Sequence, residues 1–271
     1  MVQVTCGKHK FDMSPALQAA LNKIKHLISK GWDFCILIDG FEGTGKSTLG
    51  FQVAVYLDPT FDLSQVCFTG DETENVIMNA KNRQAVVFDE GMTDLYARQA
   101  MTKGNINLNK LLAQCRQKEL ALIIIMPSFF ECDRYVALHR SRVLLHCYAQ
   151  KDGERGYFMF YNRSRKKRLY FLGKPFMQDA IVPPNFKDHY PKYMAVDEVE
   201  YKKRKWQAMT SGNTNRNRKD ARDQAFQILL QILFDEGRKS KELAEAINKN
   251  AGKKIIDRRR LSEIRLGTKP E

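Results

Sequence analysis

The sequence predicts an α/β protein, with a mostly parallel central sheet flanked by helices and a small all-α module at its C-terminal end. Three observations carry this. Short apolar runs alternate with helical periods from residue 34 to 148, the pattern of a doubly wound sheet. The runs are continuously apolar, as strands covered on both faces are. Near residue 200 the composition turns polar and basic, and three short helical periods follow.

Taken in order, Ser14-Pro15 reads as a helix start, with Ser14 as N-cap and Pro15 in the first turn. Leu17, Leu21, Ile24 and Ile28 follow at helical spacing, and Gly31 closes the helix. Phe34 to Ile38 is a buried strand, and a Gly-rich turn leads into a helix from Lys46 to Leu57, ended by Asp58-Pro59. Val66 to Phe68 and Ala85 to Phe88 are strands, separated by a helix from Glu72 to Lys81. Asn105 to Glu119 reads as an amphipathic helix, Leu120 to Met126 as a β-branched strand, and Arg142 to Tyr148 as a fifth strand. Tyr157 to Tyr161 and Arg168 to Leu172, with a basic turn between, read as a hairpin added to the sheet. Pro175 to Tyr193, rich in Pro and aromatics, shows no period. The division expected is an N-terminal extension at 1–32, a nucleotide-binding domain at 33–200, a basic polar linker at 201–219 and a basic helical module at 220–271.

The totals narrow the function classes. An apolar fraction of 43% and a charged fraction of 28% are ordinary for a globular protein. No apolar run approaches the roughly 18 residues a bilayer span needs, and the start of the chain lacks a secretory pattern. Six scattered cysteines include no C-x-x-C pair and no zinc spacing, so reduced structural thiols in a cytoplasmic protein are expected. The net charge of +14 is unevenly placed: Lys and Arg number 19 against 9 Asp and Glu from Tyr201 onward, and 26 against 22 before it. A concentrated basic region points to a polyanion, and nucleic acid is the partner expected.

Gly40-Phe41-Glu42-Gly43-Thr44-Gly45-Lys46-Ser47 fits G-x-x-x-x-G-K-[ST], with a strand before it and a helix after. Glycines let the backbone wrap a phosphate with its N–H groups turned inward. The helix beginning at Lys46 aims its unsatisfied N–H groups and positive dipole end at the same anion. Lys46 brings a full charge to the β- and γ-phosphates, and Ser47 offers a hydroxyl to Mg²⁺. Gly40, Gly43, Thr44, Gly45, Lys46, Ser47 and the following Thr48, in the supporting helix, are the expected ATP-binding residues.

Asp89-Glu90, at the end of the buried strand Ala85 to Phe88, is the second half of the site. An acidic side chain there reaches Mg²⁺, the role expected of Asp89. Glu90 is expected to polarise the attacking water as general base. One strand between the loop and the acidic strand, and another after it, is an order that resembles the additional-strand, catalytic-glutamate branch of P-loop NTPases, which includes RecA-like and AAA+ motors. Residues 111–128, a helix with Arg116 and Lys118 near its end running straight into a strand, most resemble the FtsK/HerA group of DNA translocases, packaging ATPases and Zot-like proteins. The resemblance spans about residues 33 to 150.

That resemblance implies an oligomeric, ring-forming ATPase motor. It makes Ser128, after Met126-Pro127, the candidate γ-phosphate sensor, although members commonly carry Gln there. It also implies an arginine finger from a neighbouring subunit, with Arg140 the first candidate and Arg134 and Arg142 the others. Beyond the linker, Ala225 to Leu233, Ser240 to Ile247 and Asp257 to Leu266 resemble a helix-turn-helix, with Lys254, Arg258, Arg259, Arg260 and Arg265 as the expected DNA contacts. A helical lid or oligomerisation element is the competing reading of that module. For the whole chain the alternatives are a regulatory or loader ATPase that switches a DNA-bound protein assembly, and a small-molecule kinase.

Overall fold

The computed structural model describes residues 1–89, 112–179, 181–208, 210 and 239–250. It divides into two compact units, Met1–Lys205 and Trp206–Glu271.

In the first unit, β1 (Val2–Cys6) and β2 (His9–Met13) form an antiparallel hairpin ahead of α1 (Pro15–Ser29). Ser14 caps α1 by accepting from Leu17 N, and Leu17, Leu21, Ile24 and Ile28 are its buried face, as the spacing predicts. Next come β3 (Phe34–Gly40), α2 (Lys46–Leu57), β4 (Val66–Cys67), α3 (Gly70–Asn79) and β5 (Ala85–Asp89). A short helix α4 over 112–117 leads into β6 (Ala121–Ile125), and β7 (Val143–Tyr148) follows. The chain then forms β8 (Tyr157–Tyr161), α5 (Arg163–Gly173), β9 (Phe186–His189) and a helix α6 over 198–208, of which 198–205 belong to this unit.

Seven strands lie in the order β4-β5-β6-β3-β7-β8-β9. The first five are parallel, while β8 and β9 add antiparallel at the β7 edge. Alternate residues of β3 and β6 serve two apolar layers. Ile36, Ile38, Ile123 and Ile125 pack with α1 and α2 on one face. Leu37, Leu122 and Ile124 pack on the other face with Leu112, Cys115, Phe129, Phe130 and Tyr170. All six cysteines are free and buried.

One expectation is corrected. Arg168 to Leu172 is not a hairpin strand but part of α5, capped by Asn162, with Lys166, Leu169, Tyr170 and Gly173 buried at helical spacing. The hairpin partner of β8 is β7, and β9 arises from the stretch in which no period is legible. The start of the expected linker, 201–208, lies in α6. Tyr201 is buried against Phe51 and Phe68, and Arg204 donates to the carbonyls of Leu63 and Val66.

In the second unit the described helix is α7 (Ser240–Asn250), with Leu243 and Ala244 buried. The expected helices at 225–233 and 257–266 lie outside the described residues. So do residues 105–111 of the helix expected at 105–119 and all five expected DNA contacts: Lys254, Arg258, Arg259, Arg260 and Arg265. Among the described residues, no helix is long and apolar enough to cross a membrane.

Candidate nucleotide-binding site

The Gly-rich loop leaves the C-terminal end of β3 and enters α2 directly, at the end of the parallel sheet where open α/β folds place their ligands. Gly40, Gly43 and Gly45 all have positive φ. Two of them also lack room for a side chain. A Cβ on Gly40 would lie 2.1 Å from the Cys147 carbonyl oxygen, and one on Gly45 would lie 2.7 Å from the Tyr190 hydroxyl. Gly45 is the left-handed N-cap of α2 and offers no side-chain acceptor, so the loop leaves the first N–H groups of α2 without a cap.

Side chains complete the loop. Thr44 Oγ1 donates to the Phe41 carbonyl at 2.8 Å, and the Tyr190 hydroxyl donates to the Thr44 carbonyl at 2.8 Å. Lys46 folds back over the loop, donating to the carbonyls of Gly40 and Phe41 at 2.7 and 2.9 Å. Thr48 points away, to Met194 Sδ at 3.8 Å, and Gln52 ties α2 to the carbonyls of Pro191 and Tyr193. The Arg155 guanidinium, from the β7–β8 turn, reaches 3.7 Å from where a Gly43 Cβ would sit.

Ser47 and Asp89, forty-two residues apart, meet: Ser47 Oγ donates to Asp89 Oδ2 at 2.9 Å. Asp89 is fully buried, and its Oδ1 has no hydrogen-bond partner among the described residues. A buried carboxylate oxygen without a donor is costly unless a ligand supplies one. A hydroxyl and an acidic oxygen beside a phosphate-binding loop form the donor set a hard divalent cation takes, so these residues fit Mg²⁺. Glu90 lies outside the described residues.

A second buried polar cluster underlies the loop. Asp39, one residue before Gly40, receives Phe129 N on Oδ2 at 2.9 Å and pairs through Oδ1 with His146 Nδ1 at 2.9 Å. Asp179 is 4.0 Å from the same nitrogen. Burial pushes the His146 pKa down, but Asp39 and Asp179 outweigh it and leave it raised. These three side chains also lie close enough to hold a metal ion. His146 between two carboxylates, with both Asp39 oxygens already engaged, accounts for the cluster without one.

Ser128 directly follows the strand end expected. Its Oγ accepts from Phe130 N at 3.3 Å, while the preceding Pro127 carbonyl accepts from Gly40 N at 3.3 Å, which ties this turn to the base of the loop. Arg140 is the first of the expected finger candidates. It is paired with Asp33 and donates to the Leu112 carbonyl at 2.9 Å, at the N-terminal end of β3 and away from the loop. Arg142 sits at the same end, over the ring of Trp32 at 4.7 Å. Arg134 is exposed, with its guanidinium over Phe171 at 5.9 Å.

The sequence reading missed Tyr190, Tyr201, Lys205, Asp39, His146 and Arg155. Asp39, at the strand end just before the loop, had a positional signal; His146 lies inside the interior strand β7, Arg155 in a turn, Tyr190 just after the edge strand β9, and Tyr201 and Lys205 in the expected linker, and none of these had one.

Loop, helix and strand order together define a P-loop NTPase fold of the additional-strand type, with β6 standing between the loop strand β3 and the acidic strand β5. No protein-family model matches the chain, and no curated protein matches its sequence. Among solved structures it is similar to the N-terminal domain of zonular occludens toxin from Neisseria meningitidis, at 16% identity and a TM-score of 0.40, covering 59% of this chain and 94% of that one. It is also similar to the genome packaging NTPase B204 from Sulfolobus turreted icosahedral virus 2, in complex with ATP-gammaS, at 12% identity and a TM-score of 0.35, covering 49% of this chain and 94% of that one. A third is EccC (ATPases 2 and 3) from Thermomonospora curvata, at 13% identity and a TM-score of 0.30, covering 49% of this chain and 35% of that one. At these scores the class rests on this chain's own loop and strand order.

Proposed function

We propose that this protein is a cytoplasmic ATPase that binds MgATP at Gly40–Ser47 and uses hydrolysis to act on DNA as an oligomeric motor of the FtsK/HerA kind. The observation that carries the nucleotide reading is the meeting of Ser47 with Asp89, whose second oxygen is buried beside the loop and has no partner among the described residues. The loop N–H groups and the start of α2 take the phosphates. Lys46, whose ammonium now rests on the loop carbonyls, turns to the β- and γ-oxygens when they arrive. Ser47 and Asp89 would hold Mg²⁺, which would supply positive charge against the charge that develops on the terminal phosphates.

Glu90, next along the chain, takes the proton of the attacking water. Ser128, whose turn is bonded to Asp39 and Gly40 through its neighbours, reports the state of the γ-phosphate to the strand β6. With Arg140 held by Asp33, Arg134 is the arginine this reading assigns to a neighbouring subunit's site. The basic residues after 250 supply salt-sensitive contacts to DNA phosphates.

The test is ATP hydrolysis by the full chain with and without DNA, across a range of protein concentration. Lys46→Ala is expected to abolish nucleotide binding or turnover, while Glu90→Gln keeps binding and stalls turnover. A wild-type rate indifferent to both DNA and protein concentration overturns the motor and leaves an ATP-dependent switch. Phosphate transfer to a small metabolite in place of hydrolysis overturns both.

A further inference from the structure

The helix α6 enters the nucleotide site from a segment whose sequence reads as linker. Tyr201, buried on the ring faces of Phe51 and Phe68, donates its hydroxyl to Asp89 Oδ2 and lies 3.1 Å from Ser47 Oγ. One turn on, Lys205 Nζ donates to the Tyr201 hydroxyl at 3.2 Å and stands 3.7 Å from Asp89 Oδ2. Arg204, between them in sequence, pins this part of the helix to the carbonyls of Leu63 and Val66, just ahead of and within β4. Three groups therefore converge on one oxygen of Asp89, and the other oxygen has no partner among the described residues.

We propose that Tyr201 is a positioning residue for the metal-binding side of this site, and that Lys205 supplies the charge that a divalent ion displaces. The inference rests on the nucleotide-site reading above. A carboxylate that rotates freely offers a metal no fixed lone pair. Tyr201 fixes Oδ2 and shares it with the Ser47 hydroxyl, so Oδ1 is the oxygen left to face the ion. Partners of this kind orient metal ligands and set their affinity. The Lys205 ammonium satisfies Asp89 electrostatically in the absence of a divalent ion and opposes its entry, so the two α6 residues act on metal affinity with opposite signs. Because both lie on α6, metal occupancy at Asp89 changes the forces on that helix.

The experiment follows binding of a fluorescent ATP analogue to the full chain, first in EDTA and then with Mg²⁺ titrated in. Tyr201→Phe keeps the ring that packs on Phe51 and Phe68, so the fold is retained. It is expected to raise the Mg²⁺ midpoint by about tenfold while the affinity in EDTA stays within twofold of wild type. Lys205→Met is expected to lower the Mg²⁺ midpoint. Unchanged midpoints in both variants, a shift of both in the same direction, or an equal loss in EDTA and in Mg²⁺ would overturn the proposal. Failure of the wild-type chain to bind the analogue at all would instead overturn the nucleotide site on which it rests.

Discussion

Lys166 has no solvent exposure, yet its ammonium belongs to a helix whose other basic residues are largely exposed. It donates to the Ala137 carbonyl and to Ser141 Oγ, the latter at 2.8 Å, and so ties α5 to the turn that follows the Ser128 segment. Burial lowers its pKa from 10.5 to about 8, the thiols of Cys35 and Cys132 offsetting only part of the effect. The unfolded chain binds this proton more tightly than the native one. Stability from this group therefore rises with pH between 8 and 10.5, and is at its lowest below 8. A gap of that width is worth about 3 kcal/mol. Lys166→Met removes the titration while filling most of the volume. Urea unfolding of both proteins at pH 7, 8, 9 and 10 isolates the effect, because every other titrating group cancels in the difference. The variant is expected to be relatively most stable at pH 7 and to lose that advantage toward pH 10, by about 2–3 kcal/mol in all. Parallel curves across that range would refute a buried, charged Lys166.

Two further perturbations test the structural corrections and the polar base of the loop. Arg140→Gln leaves Asp33 buried without its ion pair and is expected to destabilise the fold by about 3 kcal/mol; a loss of ATPase in mixed oligomers with unchanged thermal stability would restore the finger assignment. His146→Gln is expected to cost most at acid pH. The raised pKa means the stabilisation is complete below about 6.5, the unfolded value, and fades as pH rises through the native one. Unfolding curves for wild type and variant should therefore converge as pH rises above the unfolded value, and a gap that widens with pH would contradict a raised His146 pKa.

The sequence alone determined the loop, because a phosphate cradle is a local object: three positive-φ glycines, a lysine and a hydroxyl within eight residues, between a strand and a helix. It determined the core strands and α1 for the same reason, since β3, β6 and the face Leu17-Leu21-Ile24-Ile28 announce themselves by unbroken apolarity or by period. It misread α5, where Arg165, Lys166, Lys167 and Arg168 mask a helical face that buries a lysine. It had no means of placing Tyr190 under the loop or Tyr201 on Asp89, which are separated from their partners by 146 and 112 residues. Contacts of that span are fixed by how β9 and α6 return across the sheet. The strand order that puts β6 between β3 and β5 is tertiary for the same reason: hydrogen bonds choose neighbours in space, and chain order only limits the choice. Local chemistry thus pointed to a phosphate-bearing ligand, and only the folded sheet decided which distant side chains meet at Asp89.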